Sequence, residues 1–165
     1  MEKEILNRPN TYLMIPRVLA FIEKDAEVLL IERAKKDAFA YSKLNGIGGH
    51  IEKGEDPLSA IRREVKEEAG LDIQDFQLNV IISIDIEAQK GICVFAFSAE
   101  YNQGIVRSSE EGRLVWKKEN ELNDQNILSD VPILLKMVKE SKQDGKIKYL
   151  QYSYIDQELC IKHIK

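Results

Sequence analysis

Three glutamates at helical spacing in the middle of the chain could together bind a divalent cation. Glu64 stands three residues before Glu67 and four before Glu68, so on a helix all three fall on one arc. An apolar stripe adjoins this arc and consists of Leu58, Ile61, Val65 and Ala69. Like charges this close should destabilise an isolated helix by roughly 0.2–0.5 kcal/mol per pair. The arc should face outward, and we expect a positively charged partner to compensate for this repulsion. Mg²⁺ fits that role because it takes oxygen ligands from carboxylates together with substrate phosphates.

An ordinary solvated helix face is the alternative explanation, since neighbouring arginine and lysine side chains could relieve the repulsion. The spacing of the surrounding residues argues against it. Gly49 is followed after five residues by Glu55, and after seven more the chain reads Arg-Glu-Val-Lys-Glu-Glu-Ala-Gly-Leu over residues 63–71. This segment resembles the Nudix box, G-x5-E-x7-R-E-U-x-E-E-x-G-U with U an apolar residue, at every fixed position. A chance match has a probability on the order of 10⁻⁷ per chain of this size.

The resemblance implies a magnesium-dependent hydrolase of the Nudix family. The implied fold is α/β (α+β), with a mixed β-sheet sandwiched between α-helices. The implied ligands of Mg²⁺, for which Mn²⁺ could substitute, are the carboxylates of Glu64, Glu67 and Glu68. The resemblance also implies that Arg63 forms an ion pair with Glu55 and so fixes the preceding loop against the helix. An incidental surface pair is the alternative for those two residues.

Glycines at positions 46, 48 and 49 form the loop before the helix. Because glycine has no side chain, such a loop can bring its backbone close to a ligand and offer an unobstructed carbonyl to a cation. Gly48 is our candidate for a carbonyl ligand of the metal, and Gly49 is our candidate for a contact with the substrate.

Hydrolysis of a nucleoside diphosphate linkage, the implied reaction, requires screened phosphate charge and a partly deprotonated water. Metal ions screen phosphoryl oxygens and lower the pKa of a bound water. A carboxylate that does not bind the metal can accept the proton. One of the helix glutamates could do so, but the family often supplies a further acid from another loop, and we favour Glu111 over a role as a solvated turn residue. The predicted catalytic set is therefore Arg63, Glu64, Glu67 and Glu111.

Two other segments concern the base of the nucleotide. Residues 43–49, Lys-Leu-Asn-Gly-Ile-Gly-Gly, are similar to the (W/L)-N-G-x-G-G segment of the MutT-like branch, which hydrolyses oxidised purine nucleoside triphosphates such as 8-oxo-dGTP. By that resemblance Asn45 reads a purine edge; alternatively, it holds the turn through Asx-type hydrogen bonds. Asp130 corresponds to an acidic base reader of mammalian-type members, although Leu128 stands where they carry a stacking tryptophan. Alternatively, Asp130 caps the following helix.

These resemblances predict cleavage of a nucleoside triphosphate to nucleoside monophosphate and pyrophosphate, with 8-oxo-dGTP as a candidate substrate. A Nudix hydrolase of ADP-ribose or of dinucleoside polyphosphates is the alternative, because the box binds only the diphosphate. ADP-ribose-specific relatives usually carry a proline soon after the box, and this chain has none between Pro57 and Pro132. A non-catalytic nucleotide-binding regulator is a further alternative, but every acid of the box is retained.

Local patterns predict the elements that position these residues. The helix should begin with Asp56 as its N-cap and Pro57 as its first residue, and end at Gly70. The glycine-rich segment from Asp37 to Gly54 precedes it and follows a β-hairpin predicted from Tyr12 to Glu32 with a turn at Lys24-Asp25. The other predictions are strands at 76–87, 92–101 and 113–116, a turn at 89–91, a helix from about Val131 to about Ser141, and two strands within 147–165 divided at Asp156-Gln157.

Size and charge place limits on the remaining possibilities. A chain of 165 residues that is 44% hydrophobic predicts one domain over residues 1–165. A net charge of −4, from 28 acidic and 24 basic residues, disfavours a nucleic acid polymer as partner. The partner that the resemblance implies is a small-molecule nucleotide. Residues 1–10 lack a leader pattern and no apolar run reaches bilayer length, so we expect a cytoplasmic protein without a membrane partner. Cys93 and Cys160 are expected to be buried, reduced thiols. Monomer and homodimer are both compatible with the sequence.

Overall fold

The structure is a computed structural model that describes residues 11–34, 42–156 and 158–164. In chain order its strands and α-helices are β1 (Leu13–Lys24), β2 (Glu27–Arg33), β3 (Leu44–Asn45), α1 (Pro57–Ala69), β4 (Gln77–Glu87), β5 (Lys90–Glu100), β6 (Gly112–Lys118), α2 (Val131–Asp144), β7 (Lys148–Ile155) and β8 (Glu158–Ile164). A single 3₁₀ turn, Glu119–Glu121, follows β6. The sequence predictions also cover residues 1–10, 35–41, 157 and 165, which lie outside the described residues.

The predicted hairpins and helices are present, with shifts at their ends. β5 begins at Lys90, so the turn before it lies at 88–89, and β6 extends the predicted strand in both directions. α2 continues past Ser141 to Asp144 and is capped by Gly145, which has a left-handed φ of 69°. β3 and the 3₁₀ turn were not predicted, because two or three residues are too few to show a periodic pattern.

Helix α1 begins and ends at the predicted residues. The Asp56 side chain accepts hydrogen bonds from the backbone N–H groups of Leu58 at 2.9 Å and Ser59 at 3.0 Å, and Pro57 occupies the first turn. Gly70 has a φ of 70° and donates its N–H to the Lys66 carbonyl, which closes the last turn. The caps therefore determine where α1 begins and ends, and with this the positions of its glutamates relative to the loop.

The sheet is mixed, as predicted. Its strand order is β3-β2-β1-β5-β4-β7-β8, and β6 pairs with β2 outside this path. The pairs β1–β5 and β4–β7 are parallel, whereas the remaining named strand pairs are antiparallel. β2 forms ladders with β1, β3 and β6 along its seven residues, so the sheet curls around this strand.

β1 is buried on both faces over residues 18–22, which explains why these residues form a continuous apolar run. Val18, Ala20 and Ile22 pack with the apolar stripe of α1. Leu19 and Phe21 point the other way and pack with the buried face of α2. The two helices therefore cover opposite faces of one sheet, which confirms the predicted sandwich of a mixed sheet between helices.

Two sequence expectations about single features have clear outcomes here. Cys93 and Cys160 are free, as expected, but both are half-buried rather than fully buried. Within the ranges that the structure describes, no helix combines the length and apolar character needed to cross a membrane.

Candidate functional site

The glycine-rich loop before α1 lies directly against β1. Ala20 exchanges two backbone hydrogen bonds with Ile47, at 2.7 Å and 3.1 Å, and Val18 donates to the Gly49 carbonyl at 3.0 Å. A Cβ atom on Gly48 would stand 2.1 Å from the Val18 carbonyl oxygen, far inside van der Waals contact. Glycine is required at position 48 because the loop and the strand approach each other so closely.

Gly49 makes room for a helix side chain. A Cβ atom on Gly49 would stand 2.5 Å from Oε1 of Glu64. The Glu64 side chain is 13% exposed, and its burial raises the pKa of the carboxyl, while the positive charge of Arg63 opposes that shift. The missing side chain at position 49 therefore lets a partly desolvated carboxylate contact the loop backbone.

Arg63 joins the loop to α1. Its Nε and one terminal nitrogen bind the two oxygens of Glu55 at 3.0 Å each, and the same terminal nitrogen donates to the His50 carbonyl at 3.0 Å. The other terminal nitrogen donates to Glu64 at 2.9 Å and to Glu67 at 3.2 Å. These carboxylates raise the pKa of Arg63. The implied Arg63–Glu55 ion pair is present, and its bidentate geometry holds the loop against the helix.

Glu68 is buried, with only 3% of the residue exposed, so the expectation that all three glutamates face outward is wrong for this residue. Its carboxylate accepts the Gly48 N–H at 3.1 Å and forms an ion pair with Arg33 at 3.4 Å. Burial raises the pKa of Glu68 to about 7, against the opposing effects of Arg33 and the Gly48 N–H. Arg33 also donates to the Gly48 carbonyl at 2.5 Å. Arg33 and Glu68 together therefore bind both polar groups of the Gly48 backbone.

The predicted metal ligands offer only oxygen atoms, from the carboxylates of α1 and the Gly48 carbonyl, and this donor set fits a hard cation such as Mg²⁺. Each of these groups contacts an arginine: Arg63 contacts Glu64 and Glu67, and Arg33 contacts Glu68 and Gly48. Positive charge therefore already lies beside every predicted ligand. In this arrangement no three His, Cys, Asp or Glu side chains of the described ranges could hold a metal ion as a group.

A third cationic side chain, Arg17, lies beside the loop. Its guanidinium reaches Nε2 of His50 at 2.9 Å and 3.2 Å. Partial burial lowers the pKa of His50, and the charges of Arg17 and Arg33 lower it further. A neutral His50 can accept the hydrogen bond from Arg17, so His50 adds no positive charge and does not neutralise that of Arg17.

A cavity of about 750 Å³ opens beside the loop and the start of α2. Part of its wall consists of polar residues of the loop region: Arg17, Arg33, Gly48, Gly49, His50 and Glu111. Another part consists mainly of apolar side chains from the sheet and α2: Ile82, Ile84, Ile92, Val94, Leu128 and Leu134. The cavity thus combines an apolar wall with a few polar groups, a composition common in small-molecule sites. A groove of about 880 Å³ elsewhere is lined by opposed lysine and glutamate side chains, and no predicted site residue is among its described lining.

The cavity brings together Asn45, Gly48, Gly49, Glu111 and Asp130 from the predicted set. The α1 glutamates are not among its lining residues. Glu68 contacts the lining residue Gly48, and Glu64 lies beside the lining residue Gly49, whereas Glu67 contacts Arg63. The oxygen of the Asn45 side chain accepts the Gly46 N–H at 2.7 Å, so the amide does support the turn. Glu111 lies near enough for its charge to raise the pKa of Glu68. The predicted residues from the loops therefore converge on one cavity.

The prediction that Asp130 caps α2 through its side chain is wrong. Asp130 has helical dihedral angles and its side chain makes no capping hydrogen bond. Pro132 occupies the first turn and has no N–H to donate, which removes one of the two groups that an N-cap side chain normally binds. The carboxyl lines the cavity near Tyr152 instead, and its burial raises its pKa.

The sequence analysis missed Arg33, Arg17 and Tyr152 as residues of the site. The compensating charge expected for the α1 glutamates pointed to a basic partner, but Arg33 lies 35 positions from Glu68 and no local pattern connects them. Arg17 lies on β1 and Tyr152 lies on β7. Only the pairing of each strand with its own neighbours in the sheet brings these two side chains to the cavity.

Comparisons with known proteins agree with this geometry. The family model of the Nudix domain matches residues 14–133. The 8-oxo-dGDP phosphatase NUDT18 of Homo sapiens is 28% identical over 131 residues, a match that covers 76% of this chain but 39% of that protein. The oxidized purine nucleoside triphosphate hydrolase of Mus musculus is 29% identical over 110 residues, which cover 64% of this chain and 70% of that protein. This chain thus matches less than half the length of the human relative.

Solved structures show the same fold. A MutT protein from Bacillus halodurans superposes with a TM-score of 0.73 at 24% identity, over 91% of this chain and 97% of that one. The Nudix domain of NrtR from Shewanella oneidensis, solved in complex with ADP ribose, superposes with a TM-score of 0.67 at 16% identity, over 86% of this chain and 99% of that one.

The family match spans the elements from β1 to β6, together with the loop and α1. The box residues lie in the loop before α1, in α1 itself and directly after it. The chain therefore belongs to the Nudix hydrolase family and has a MutT-like Nudix fold.

Proposed function

We propose that this chain is a Mg²⁺-dependent pyrophosphohydrolase that cleaves purine nucleoside triphosphates to nucleoside monophosphate and pyrophosphate, with oxidised purines such as 8-oxo-dGTP as its preferred substrates. The observation that carries the proposal is the cavity itself. It places the box loop, with its cationic neighbours, and an apolar wall with a few hydrogen-bonding side chains within one space. A nucleotide has the same division into an anionic chain and a flat, largely apolar base. The names of the two curated relatives, both acting on oxidised purine nucleotides, support the same substrate class.

In this proposal Glu64, Glu67, Glu68 and the Gly48 carbonyl hold the metal. When bound, Mg²⁺ would screen the phosphoryl oxygens and lower the pKa of an attacking water. The buried Glu68 favours a cation next to it, because its carboxylate pays a desolvation cost that a positive charge offsets.

The surrounding side chains have separate roles in the proposal. Arg17 and Arg33 attract the phosphates to the loop, since both guanidinium groups line the cavity. Arg63 keeps the loop and α1 in register through its bonds to Glu55 and His50. Glu111, which also lines the cavity, accepts the proton of the attacking water. Asn45 and Gly49 contact the substrate next to the box.

Hydrolysis of a nucleotide panel with product identification tests the proposal. The panel comprises 8-oxo-dGTP, 8-oxo-dGDP, dGTP, ADP-ribose and diadenosine polyphosphates, each with Mg²⁺ and with EDTA. We expect metal-dependent release of 8-oxo-dGMP and pyrophosphate from 8-oxo-dGTP at the highest kcat/KM. If 8-oxo-dGDP were the only compound hydrolysed, with release of orthophosphate, the substrate class would be nucleoside diphosphates. Cleavage of ADP-ribose or diadenosine polyphosphates alone would overturn the assignment to oxidised purines, and no turnover of any compound would favour a nucleotide-binding regulator.

We further propose that residues 1–165 form one Nudix domain whose partner is a small-molecule nucleotide. The cytoplasmic location, the absence of membrane and nucleic-acid partners, and the monomeric or homodimeric state remain predictions from the sequence.

A further inference from the structure

The Tyr152 hydroxyl is buried in the cavity wall without a hydrogen bond of normal geometry. Tyr152 is 3% exposed, and its oxygen atom makes no hydrogen bond of normal geometry to any described residue. Buried phenol hydroxyls usually have such a partner, because an unpaired polar group loses its bonds to water on folding. A hydroxyl left unpaired at a cavity suggests that a ligand supplies the missing partner.

Strand pairing explains how Tyr152 reaches the cavity. β7 runs parallel to β4, and Tyr152 lies opposite Ile84, which also lines the cavity. Burial raises the pKa of the Tyr152 phenol, and the Asp130 carboxylate at the start of α2 raises it further through its charge and a weak, poorly aligned hydrogen bond from the hydroxyl. The buried Tyr152 and the half-buried Asp130 therefore line the same cavity as its apolar wall.

We propose that Tyr152 is a specificity-determining residue whose hydroxyl, together with the Asp130 carboxylate, hydrogen-bonds the edge of a 6-oxo-2-aminopurine base. This inference rests on the proposed function, because it requires a nucleotide base in the cavity. Such a base presents N1–H and the 2-amino group as donors and O6 as an acceptor. A carboxylate accepts from the two donors and a phenol donates to O6, so the two side chains match that edge. A 6-aminopurine presents a donor in place of O6 and no donor at N1.

Tyr152 lies outside residues 14–133, which match the family model, so its role comes from the C-terminal strands of this chain. Tyr154 provides a matched comparison. It follows two residues later on the same strand, lines the same cavity and is 50% exposed. Water can satisfy its hydroxyl, so the same chemical change at position 154 should have little effect on base recognition.

Equilibrium binding of nucleoside monophosphates in EDTA tests the inference independently of catalysis. The ligands are 8-oxo-dGMP, dGMP and the 2-aminopurine deoxyribonucleotide, which keeps the 2-amino group but lacks O6 and N1–H. We expect Tyr152→Phe to weaken binding of the two 6-oxo bases by about tenfold, the value of one hydrogen bond to a buried group. Binding of the 2-aminopurine nucleotide should change less than twofold, and Tyr154→Phe should leave all three affinities unchanged.

The melting temperature of the Tyr152→Phe variant provides a second readout. It should equal or exceed that of the wild type, because the substitution removes a buried hydroxyl that makes no hydrogen bond of normal geometry in the unliganded protein. Equal losses for all three nucleotides, or a lower melting temperature, would show a packing role and overturn the assignment. Unchanged affinity for the 6-oxo bases would overturn it too, while leaving the proposed function in place. If the wild type binds none of the nucleotides, the proposed function and this assignment both fail.

Discussion

At the scale of single residues, the carboxylates of α1 differ sharply in their surroundings. Glu68 is buried against Arg33 and Gly48, Glu64 is partly buried beside Gly49, and the Glu67 side chain is 61% exposed. These differences predict different consequences for substitutions that the sequence alone would treat as equivalent. Because Glu68 is buried, its substitution should change stability as well as the function of the site. Because Glu67 is exposed, its substitution should change only the function of the site.

Glu68→Gln should stabilise the metal-free protein at high pH. The folded-state pKa of Glu68 is raised to about 7 from an ordinary 4.5, so burial costs nothing below about pH 4.5 and stability is lost as the pH rises through 7. Glutamine does not ionise, and its one oxygen can replace only one of the two acceptor oxygens that bind Gly48 and Arg33. The variant should therefore gain up to about 3 kcal/mol in free energy of unfolding between pH 5 and pH 8, relative to the wild type. Urea unfolding in EDTA measures this gain, and a difference that does not vary with pH would contradict it.

Glu67→Gln should abolish most metal-dependent turnover without affecting the fold. Loss of a metal ligand should reduce kcat/KM by at least about 100-fold, since even outer contacts of a metal site are worth 10- to 100-fold. The melting temperature should not change, because most of the Glu67 side chain is in solvent. Glu110→Gln, at an exposed position of the β6 side of the site, is the matched control and should retain activity. Wild-type turnover by Glu67→Gln would show that the metal assignment is wrong.

At the scale of elements, the loop and α1 function as one unit. Backbone bonds to β1 hold the loop, the caps at Asp56 and Gly70 define the helix, and Arg63 links the two. The positions of the carboxylates therefore depend on close backbone contact as much as on helical spacing.

Gly49→Ala should reduce turnover by displacing a helix side chain. The added Cβ would lie 2.5 Å from the Glu64 carboxylate, which must move out of its place beside the loop. Gly54→Ala is the control: its Cβ would meet no atom within 4 Å, but its φ of 86° strains an alanine. We expect Gly49→Ala to lose more than about tenfold in kcat. Gly54→Ala should lose roughly 1–2 kcal/mol of stability and keep its kcat. Equal kcat values for the two variants would contradict this account.

At the scale of the whole molecule, the curled sheet produces both the core and the cavity. Helices cover its two faces over the central strands. The parallel pairing of β4 with β7 extends the sheet past the start of α2, where Tyr152 and Tyr154 line the cavity. The site is therefore assembled from strands and loops that are distant in sequence.

Mg²⁺ should stabilise the folded protein as a whole, because the ligand set exists only when the loop and α1 are in contact. At a Mg²⁺ concentration ten times its dissociation constant the gain is about 1.4 kcal/mol. For a chain of this size that gain corresponds to a rise of roughly 3–5 °C in melting temperature. Thermal unfolding in 10 mM MgCl₂ and in EDTA, at matched ionic strength, measures the rise. The Glu67→Gln variant should show a smaller rise, and an equal one would place the stabilising ion elsewhere.

The sequence by itself determined the ends of α1, the hairpins and the family. Each of these depends on residues that lie close together along the chain. Asp56 and Gly70 bind backbone groups within four residues of themselves, and the box is a spacing rule. The Arg63–Glu55 pair could likewise be inferred from the box.

Only the tertiary structure decided which groups meet across the sheet. Arg33 and Glu68 are 35 positions apart, and their contact requires β2 and α1 to pack on the same loop. Asp130 faces Tyr152 because β7 adds to the sheet beside β4, a pairing that no local pattern predicts. Burial, which raises the pKa of Glu68 and leaves the Tyr152 hydroxyl without a hydrogen bond of normal geometry, is a property of that packing and not of the residues alone.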